Sequence, residues 1–450
     1  MSIALALKNG LTNLPRPVGQ ALAYVPFGLR PGLGKVYRDR RNDIAWTETA
    51  SRSDMEQFIF DRVSKLACFA HSRVPFYGNF YESHNFDPAS LKRYDDLKRI
   101  PIVRKKDLQD SPLEDRSSSI RPRTKENTGG STGQPLSLYV QPDAMAHEWA
   151  HIHEIWNSVS FRQYHLKMTM GGRLSSEQPL TYDAVRHSYH LNTYQDLSKV
   201  TEALATLLKT APIRYLHGYP SSIYDFAEFC NLPENADIRE QLRRNIQGVM
   251  LGSEFPKPTW RECIETTFEA PSVSWYGHTE RAVLAGERDE PYLYHPFPSY
   301  GFAEACPSQE TGETNLVATS YYNFASPMIR YDTEDVIEAT EEVGGRLKAF
   351  RVTGGRQGEF IQDLSGKRIS LTGLIYGRHH LLFDHCSHIQ VQQDEVGSAR
   401  ILYVPKQRDL TSDEAKNLFS SDGVNIDFSF EPRDQPVRTS SGKVMLLVKA

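Results

Sequence analysis

Between residues 195 and 280 helical patterning alternates with short apolar runs. Residues 197–208, 222–230 and 260–268 carry apolar side chains at helical spacing, and 213–216, 249–251 and 273–275 are brief apolar stretches between them. Strands alternating with helical segments are how parallel-strand α/β units read. The chain is therefore predicted to be an α/β protein with a large domain of β-sheets packed by helices.

The flanks of that region set the domain organisation. Residues 1–50 hold several prolines, glycines and basic residues without clear periodicity, and are expected to form an irregular arm. Ser53-Asp54-Met55-Glu56 is a capping-box signature, and Met55, Phe58, Ile59, Val63, Leu66 and Ala70 follow at helical spacing, which predicts an amphipathic helix ending near Arg73. At Gly354-Gly355-Arg356-Gln357-Gly358 three glycines in five residues break the pattern, and strand-like runs at 389–391 and 400–404 come after it. A chain of 450 residues exceeds the size at which one core keeps growing. The expected division is an arm at 1–50, a large domain at 51–355, a hinge at 356–359 and a small α+β domain at 360–450. No internal repeat or low-complexity tract interrupts it.

Composition excludes several classes. Hydrophobic residues make up 39% and charged residues 24%, a globular profile, and the net charge of −4 offers no whole-chain attraction for nucleic acid or an anionic membrane. Cys68, Cys230, Cys263, Cys306 and Cys386 are odd in number, far apart and without a C-x-x-C pair, so neither a disulfide framework nor a thiolate zinc site is indicated. The apolar run from Ile3 to Leu7 is too short for a signal peptide, and nowhere do about 18 apolar residues run together. A soluble, cytoplasmic protein without a membrane span is expected.

Four strings carry chemistry. Asn127-Thr128-Gly129-Gly130-Ser131-Thr132-Gly133-Gln134-Pro135 could cradle an anion, since glycines let backbone N–H groups converge and the hydroxyls of Thr128, Ser131 and Thr132 add donors. It lacks the G-K-[ST] ending of a Walker loop, and read alone it is also the composition of a surface turn. Trp275-Tyr276-Gly277-His278-Thr279-Glu280 follows a strand-like run, which puts its polar residues at the carboxyl edge of a sheet, where α/β proteins bind ligands. Glu280 there suits Mg²⁺, a cation that takes oxygen ligands, or is an ordinary loop glutamate. Met328-Ile329-Arg330-Tyr331-Asp332-Thr333-Glu334-Asp335 and Arg438-Thr439-Ser440-Ser441-Gly442-Lys443 offer a carboxylate suited to two hydroxyls and a lysine on a glycine-containing turn; each alone is an ordinary charged turn.

In this order and spacing the four strings resemble the acyl-adenylate-forming superfamily, and within it the phenylacetate-CoA ligase branch and the CapK-type proteins of polysaccharide biosynthesis. The resemblance also takes in Arg73-Val74-Pro75-Phe76-Tyr77, the stretch 91–108, Gly218-Tyr219-Pro220-Ser221-Ser222, Gly252-Ser253-Glu254, Tyr294-His295 and Tyr300-Gly301, and covers residues 50–450. It implies ATP and Mg²⁺ as cofactors, a small-molecule carboxylic acid as substrate, and CoA or an amine as acceptor. Thr128, Gly130, Ser131, Thr132 and Gly133 would hold the β- and γ-phosphates. Gly252, Ser253 and Glu254 would line the adenine with Tyr276 and Gly277 beside it. Thr279 would touch the α-phosphate, Glu280 would bind Mg²⁺, Asp335 the ribose hydroxyls, and Arg356 would sit near ribose and phosphate. Lys443 would be the catalytic lysine delivered by a mobile C-terminal domain.

The chain departs from the family pattern at three places. Gly358 stands two residues after the hinge arginine, where an aspartate is common, Glu334 where a glycine is usual, and Gln134 where a lysine is frequent. The reading that follows is an acyl-CoA ligase. Its alternatives are an amide-forming ligase acting in surface polysaccharide modification, and a non-catalytic adenylate-binding or scaffolding protein. Arg104-Lys105-Lys106 reads as a solvated helix start, Trp149 and Trp156 as core or pocket wall, and His379, His380, His385 and His388 as loop and strand-edge residues, although their spacing could serve a metal.

Overall fold

The computed structural model describes residues 11–128, 136–171, 178–193, 197–308, 312–354, 360–371, 374–375, 378, 380–406, 410–437 and 446–448. The first two strands, β1 (Thr124–Asn127) and β2 (Ser137–Val140), form an antiparallel hairpin of their own. The next twelve make one sheet: β3 (Lys167–Met170), β4 (Leu180–Asp183), β5 (Ser188–Leu191), β6 (Tyr215–Gly218), β7 (Gly248–Leu251), β8 (Ser272–Gly277), β9 (Leu284–Glu287), β10 (Tyr294–Pro296), β11 (Gly301–Pro307), β12 (Thr314–Ser320), β13 (Tyr331–Val343) and β14 (Arg346–Gly354). Their spatial order is β11-β12-β13-β14-β10-β9-β8-β7-β6-β3-β5-β4. From β5 through β3, β6 and β7 to β8 the neighbours are parallel. From β8 onward through β9, β10, β14, β13 and β12 to β11 they are antiparallel.

β8 is shared between the two halves. Its first residues pair in parallel with β7 (Val249↔Ser272, Leu251↔Ser274), and its last pair antiparallel with β9 (Trp275↔Gly286, Gly277↔Leu284).

The predicted alternation is present. Helices Leu197–Thr210, Pro220–Asn231 and Pro258–Phe268 pack against the parallel strands, with Leu204, Phe226, Ile264 and Phe268 fully buried beside Leu216, Val249 and Leu251. Burial of each such side chain contributes about 1.5–3 kcal/mol. Proline at the first position of the last two helices fits where a missing N–H does no harm. Helix Ala144–Asn157 belongs to a separate cluster in which Trp156 is enclosed by Tyr215, Met250, Val273 and Leu284.

Two local expectations are corrected. Helix Arg52–Arg73 is capped by Ser51, whose Oγ accepts from the Asp54 N–H at 3.2 Å, not by Ser53. The first fifty residues are not irregular over their described part, which contains helices Arg16–Tyr24 and Gly34–Thr49. The second buries only Gly34 and Ile44 and is laced by Lys35–Asp39 and Arg40–Asp43 pairs. A helix held by charge pairs rather than an apolar stripe leaves little periodicity to read.

Residues from 360 onward form two further small sheets: β15 (Phe360–Gln362) with β16 (Arg368–Ser370), and β17 (Cys386–Glu395), β18 (Ser398–Pro405), β19 (Asp427–Pro432) and β20 (Leu447–Val448) in the order β19-β18-β17-β20. Ile361, Leu382, Ile389, Ile401, Tyr403 and Leu446 share a hydrophobic cluster separate from the others. The expected hinge, 356–359, lies outside the described residues. No helix among the described residues is long and apolar enough to cross a membrane.

Candidate functional site

The carboxyl ends of β6, β7 and β8 lie side by side, and the spacing there is set by glycines. A Cβ on Gly218 would stand 1.6 Å from the Met170 carbonyl oxygen, and one on Gly252 would stand 2.1 Å from the Trp275 ring. Gly252 N–H donates to the Gly218 carbonyl at 3.0 Å, locking the two strand ends together. Ser253 follows, exposed and at φ 70°. Glu254 is buried, and its Oε2 accepts from the Ser221 N–H at 3.2 Å, at the start of helix Pro220–Asn231, where a carboxylate meets the positive end of the helix dipole.

At the end of β8 the Tyr276 hydroxyl donates to Oδ2 of Asp335 at 2.5 Å, and the Tyr276 ring lies edge-on to Phe350 at 5.3 Å. Burial, and then the neighbouring Asp335 charge, push the Tyr276 phenol well above its usual value, so it remains a donor. Gly277 is exposed and Thr279 half-buried. Glu280 is buried; its Oε1 accepts from the Tyr331 hydroxyl at 3.2 Å and its Oε2 lies 3.1 Å from His278 Nδ1. Burial alone would raise its carboxyl, but the His278 ring and the Lys105 charge outweigh that and hold it down at about 2. Glu280 is therefore a carboxylate at neutral pH. His278 Nε2 is buried with no hydrogen-bond partner among the described residues.

Three residues around this edge are missed by sequence reasoning. Lys105 is only 7% exposed, in contrast to the solvated run expected at 104–106, of which Lys106 alone is exposed. The segment carrying it is pinned by Val103, whose N–H donates to the Arg330 carbonyl at 3.0 Å and whose carbonyl accepts from Asp332 N–H at 2.9 Å. Arg330 itself, at φ 42°, is buried and makes a two-pronged ion pair with Glu304, both contacts at 3.0 Å, while donating to the carbonyls of Lys98 and Ile100. Arg281 bridges Glu126 at 2.9 Å and Glu148, tying the glutamate before the glycine-rich loop to helix Ala144–Asn157. These partners lie 26 to 232 residues apart in sequence, and no local pattern signals such meetings.

Thr128 closes the base of the glycine-rich loop. Its N–H donates to the Leu136 carbonyl and its Oγ1 accepts from the Leu136 N–H, both at 2.9 Å, with the side chain buried. Gly130, Ser131, Thr132 and Gly133 lie outside the described residues, as do Arg356 and Lys443. His379 does too; His380 is buried on the Leu374 carbonyl and stacked on Phe419. Among the described residues no cluster of histidine, cysteine, aspartate and glutamate could hold a metal ion by side chains of three or more.

No family model matches the chain. Protein CapK of Staphylococcus aureus is 20% identical over 346 residues, which span 73% of this chain and 75% of that protein. A phenylacetate-coenzyme A ligase of Thermus thermophilus is 33% identical over 63 residues, 14% of each chain. Among solved structures, 2-hydroxyisobutyryl-CoA ligase in its postadenylation state with R3-HIB-AMP superposes over 89% of this chain and 91% of its own with a TM-score of 0.53 and 15% identity. The same ligase in its thioesterification state, with 2-HIB-AMP and CoA, matches over the same shares with a TM-score of 0.53 and 16% identity. The chain thus has the fold of 2-hydroxyisobutyryl-CoA ligase and is similar to CapK over most of its length. Gly252 and Ser253, the Tyr276–Asp335 pair, Thr279 and Glu280 all come from the strand ends of β7 and β8 and from β13, which starts beside them.

Proposed function

We propose that the chain joins a carboxylic acid to the AMP moiety of ATP, releasing pyrophosphate, and then transfers the acyl group to CoA. The observation that carries this reading is the grouping of Asp335, Tyr276 and Glu280 at one sheet edge, with a buried lysine, Lys105, whose charge acts on Glu280. The likeness to a phenylacetate-coenzyme A ligase, local as it is, favours CoA as acceptor.

Asp335, oriented by the Tyr276 hydroxyl, would hold the ribose diol as a two-oxygen acceptor. Gly252, buried against Trp275, and the exposed Ser253 after it would form the adenine side. Glu280 fits a hard cation: it is an oxygen donor kept ionised, and the partnerless Nε2 of His278 beside it leaves one polar atom for a substrate oxygen. Mg²⁺ bound there would neutralise phosphate charge. Lys105, Thr279 and the glycine-rich loop closed by Thr128 would supply the remaining cation and donors, and Lys443 the cation nearest the α-phosphate. The acid is deprotonated at neutral pH, so the site needs no general base; alignment and charge neutralisation are what it must provide.

The large domain would end at 355 and the C-terminal domain, 360–450, would rotate about 356–359. Gly358 permits such rotation. A second reading is transfer of the acyl group to an amine, motivated by the CapK-type resemblance and by Gly358 where the hinge pattern commonly has an aspartate. ATP–pyrophosphate exchange over aryl, fatty, amino and uronic acids, in wild type and Lys443→Ala, tests adenylation; exchange with one acid class that collapses in the variant is expected, and no exchange with any acid would overturn the reading. Product analysis with and without CoA then separates thioester from amide.

A further inference from the structure

The β13–β14 hairpin turns on Gly344 and Gly345, both at positive φ (61° and 81°), and sets Val343 opposite Arg346. A two-residue turn of this hand requires that conformation. The turn leans on the first turn of helix Arg52–Arg73, where a Cβ on Gly344 would come within 2.9 Å of the Arg52 guanidinium and the Glu56 carboxylate. Between hairpin, helix and β10 lies a cavity of about 360 Å³.

Its floor is apolar, from Met55, Ile59 and Pro296, and its walls carry four cations, Arg52, Arg288, Arg346 and Lys348, against two carboxylates, Glu48 and Glu56. Arg52 is matched by Glu56 at 2.7 Å, Arg288 by Glu48 at 2.8 Å, and Lys348 by Glu341. Arg346 is different. Among the described residues no carboxylate stands within ion-pairing distance of it; Tyr94, Tyr321 and, more weakly, Glu341 act on its charge, and the hydroxyls of Tyr94 and Tyr321 are buried without a hydrogen-bond partner among the described residues. The two phenol hydroxyls are buried donors lacking an acceptor, a condition that costs about 1–3 kcal/mol for each, and Tyr94 lines the cavity together with the half-buried Arg346. Arginine's planar fork matches carboxylate and phosphate oxygens. Asp335 lies eight residues before Val343 on β13, so the cavity is roughly 25 Å from the adenylation edge at the rise of an extended strand.

We propose that this cavity is a second ligand site, taking a small organic anion with a phosphate or carboxylate head on Arg346 and Tyr94 and its apolar part on Met55 and Ile59. An oxyanion there accepts from the guanidinium and the Tyr94 hydroxyl together, and the existing ion pairs stay closed around it.

Isothermal titration of the full chain in magnesium-free buffer, with pyrophosphate, citrate and glucose 6-phosphate as probes, tests this. At least one probe is expected to bind wild type, with affinity at least 10-fold weaker in Arg346→Met and about 3-fold weaker in Tyr94→Phe, and unchanged in Glu280→Gln. Which probes respond separates a phosphate head from a carboxylate head. Arg346→Met should leave ATP–pyrophosphate exchange intact, so loss of probe binding is distinguishable from failure of the adenylation reading. No binding by any probe, or binding that neither Arg346→Met nor Tyr94→Phe weakens, overturns the proposal.

Discussion

The hydroxyl of Tyr276 reaches Oδ2 of Asp335 at 2.5 Å, joining the end of β8 to the beginning of β13 across 59 residues of sequence. If Asp335 holds the ribose, this bond fixes which way its carboxylate faces. Asp335→Asn is expected to raise the KM for ATP by about 10- to 100-fold, the range for a lost hydrogen bond to a charged group. Tyr276→Phe, which removes only the orienting donor, should raise it less, with kcat little changed. Steady-state exchange kinetics over ATP concentration check both, and equal KM values in wild type and Asp335→Asn would remove the residue from the ribose site.

Glu280→Gln keeps the shape of the side chain and removes its charge. Exchange should fall by about 10²- to 10³-fold, the scale seen when one electrostatic element of a site is lost, and higher magnesium should recover part of it. ATP binding by calorimetry should persist. A variant with undiminished exchange would show that Glu280 holds no cation.

Arg330 and Glu304 form a buried, two-pronged pair that also clasps the carbonyls of Lys98 and Ile100. Removing one partner leaves the other charge buried. Glu304→Gln is expected to destabilise the chain by about 3–5 kcal/mol in urea unfolding, whereas exposed pairs such as Lys106–Asp110 should contribute less than about 1 kcal/mol.

Glu334 sits at φ 62°, in the left-handed region that favours glycine. This explains why the related pattern has glycine there. Glu334→Gly should stabilise the fold by about 0.5–1 kcal/mol, read as a shift in the urea midpoint without a change in slope.

Burial holds His147 down to about 2 and His151 to about 3, from a usual value near 6.5. Both are neutral in the folded chain and take up protons on unfolding below pH 6.5. Their contribution is therefore complete above about pH 6.5 and is lost as pH falls toward 3, by up to about 1.4 kcal/mol per pH unit for each. Urea unfolding at pH 7.5, 6.5 and 5.5 should show flat stability and then a decline, shallower in His151→Gln.

What could be read in the sequence was whatever depends on near neighbours. The strand and helix alternation of 195–280 rests on periodicity, and β6, β7, β8 and the helices between them lie where the apolar runs place them. The Tyr276–Glu280 and Asp335 strings stand out because glycine and carboxylate types recur at short spacing. Lys105, Arg281 and Arg330 do not, because each is defined by a partner brought in by the tertiary fold, and a lysine beside Arg104 and Lys106 has the local appearance of solvent-facing charge. The capping of helix Arg52–Arg73 by Ser51 was ambiguous for a related reason: two serines two residues apart offer the same hydroxyl, and packing of Met55 and Ile59 selects the register.

Because β8 is hydrogen-bonded in parallel at one end and antiparallel at the other, it is a seam rather than a member of either half-sheet. Tyr276 through Glu280 come into position only when both neighbours are in place. A fragment ending before β9 should retain its helices and tryptophan emission yet lack the edge proposed for adenylation, and in refolding the return of exchange activity should lag behind the return of fluorescence. On the proposed reading, activity would report the junction between two half-sheets, not either half alone.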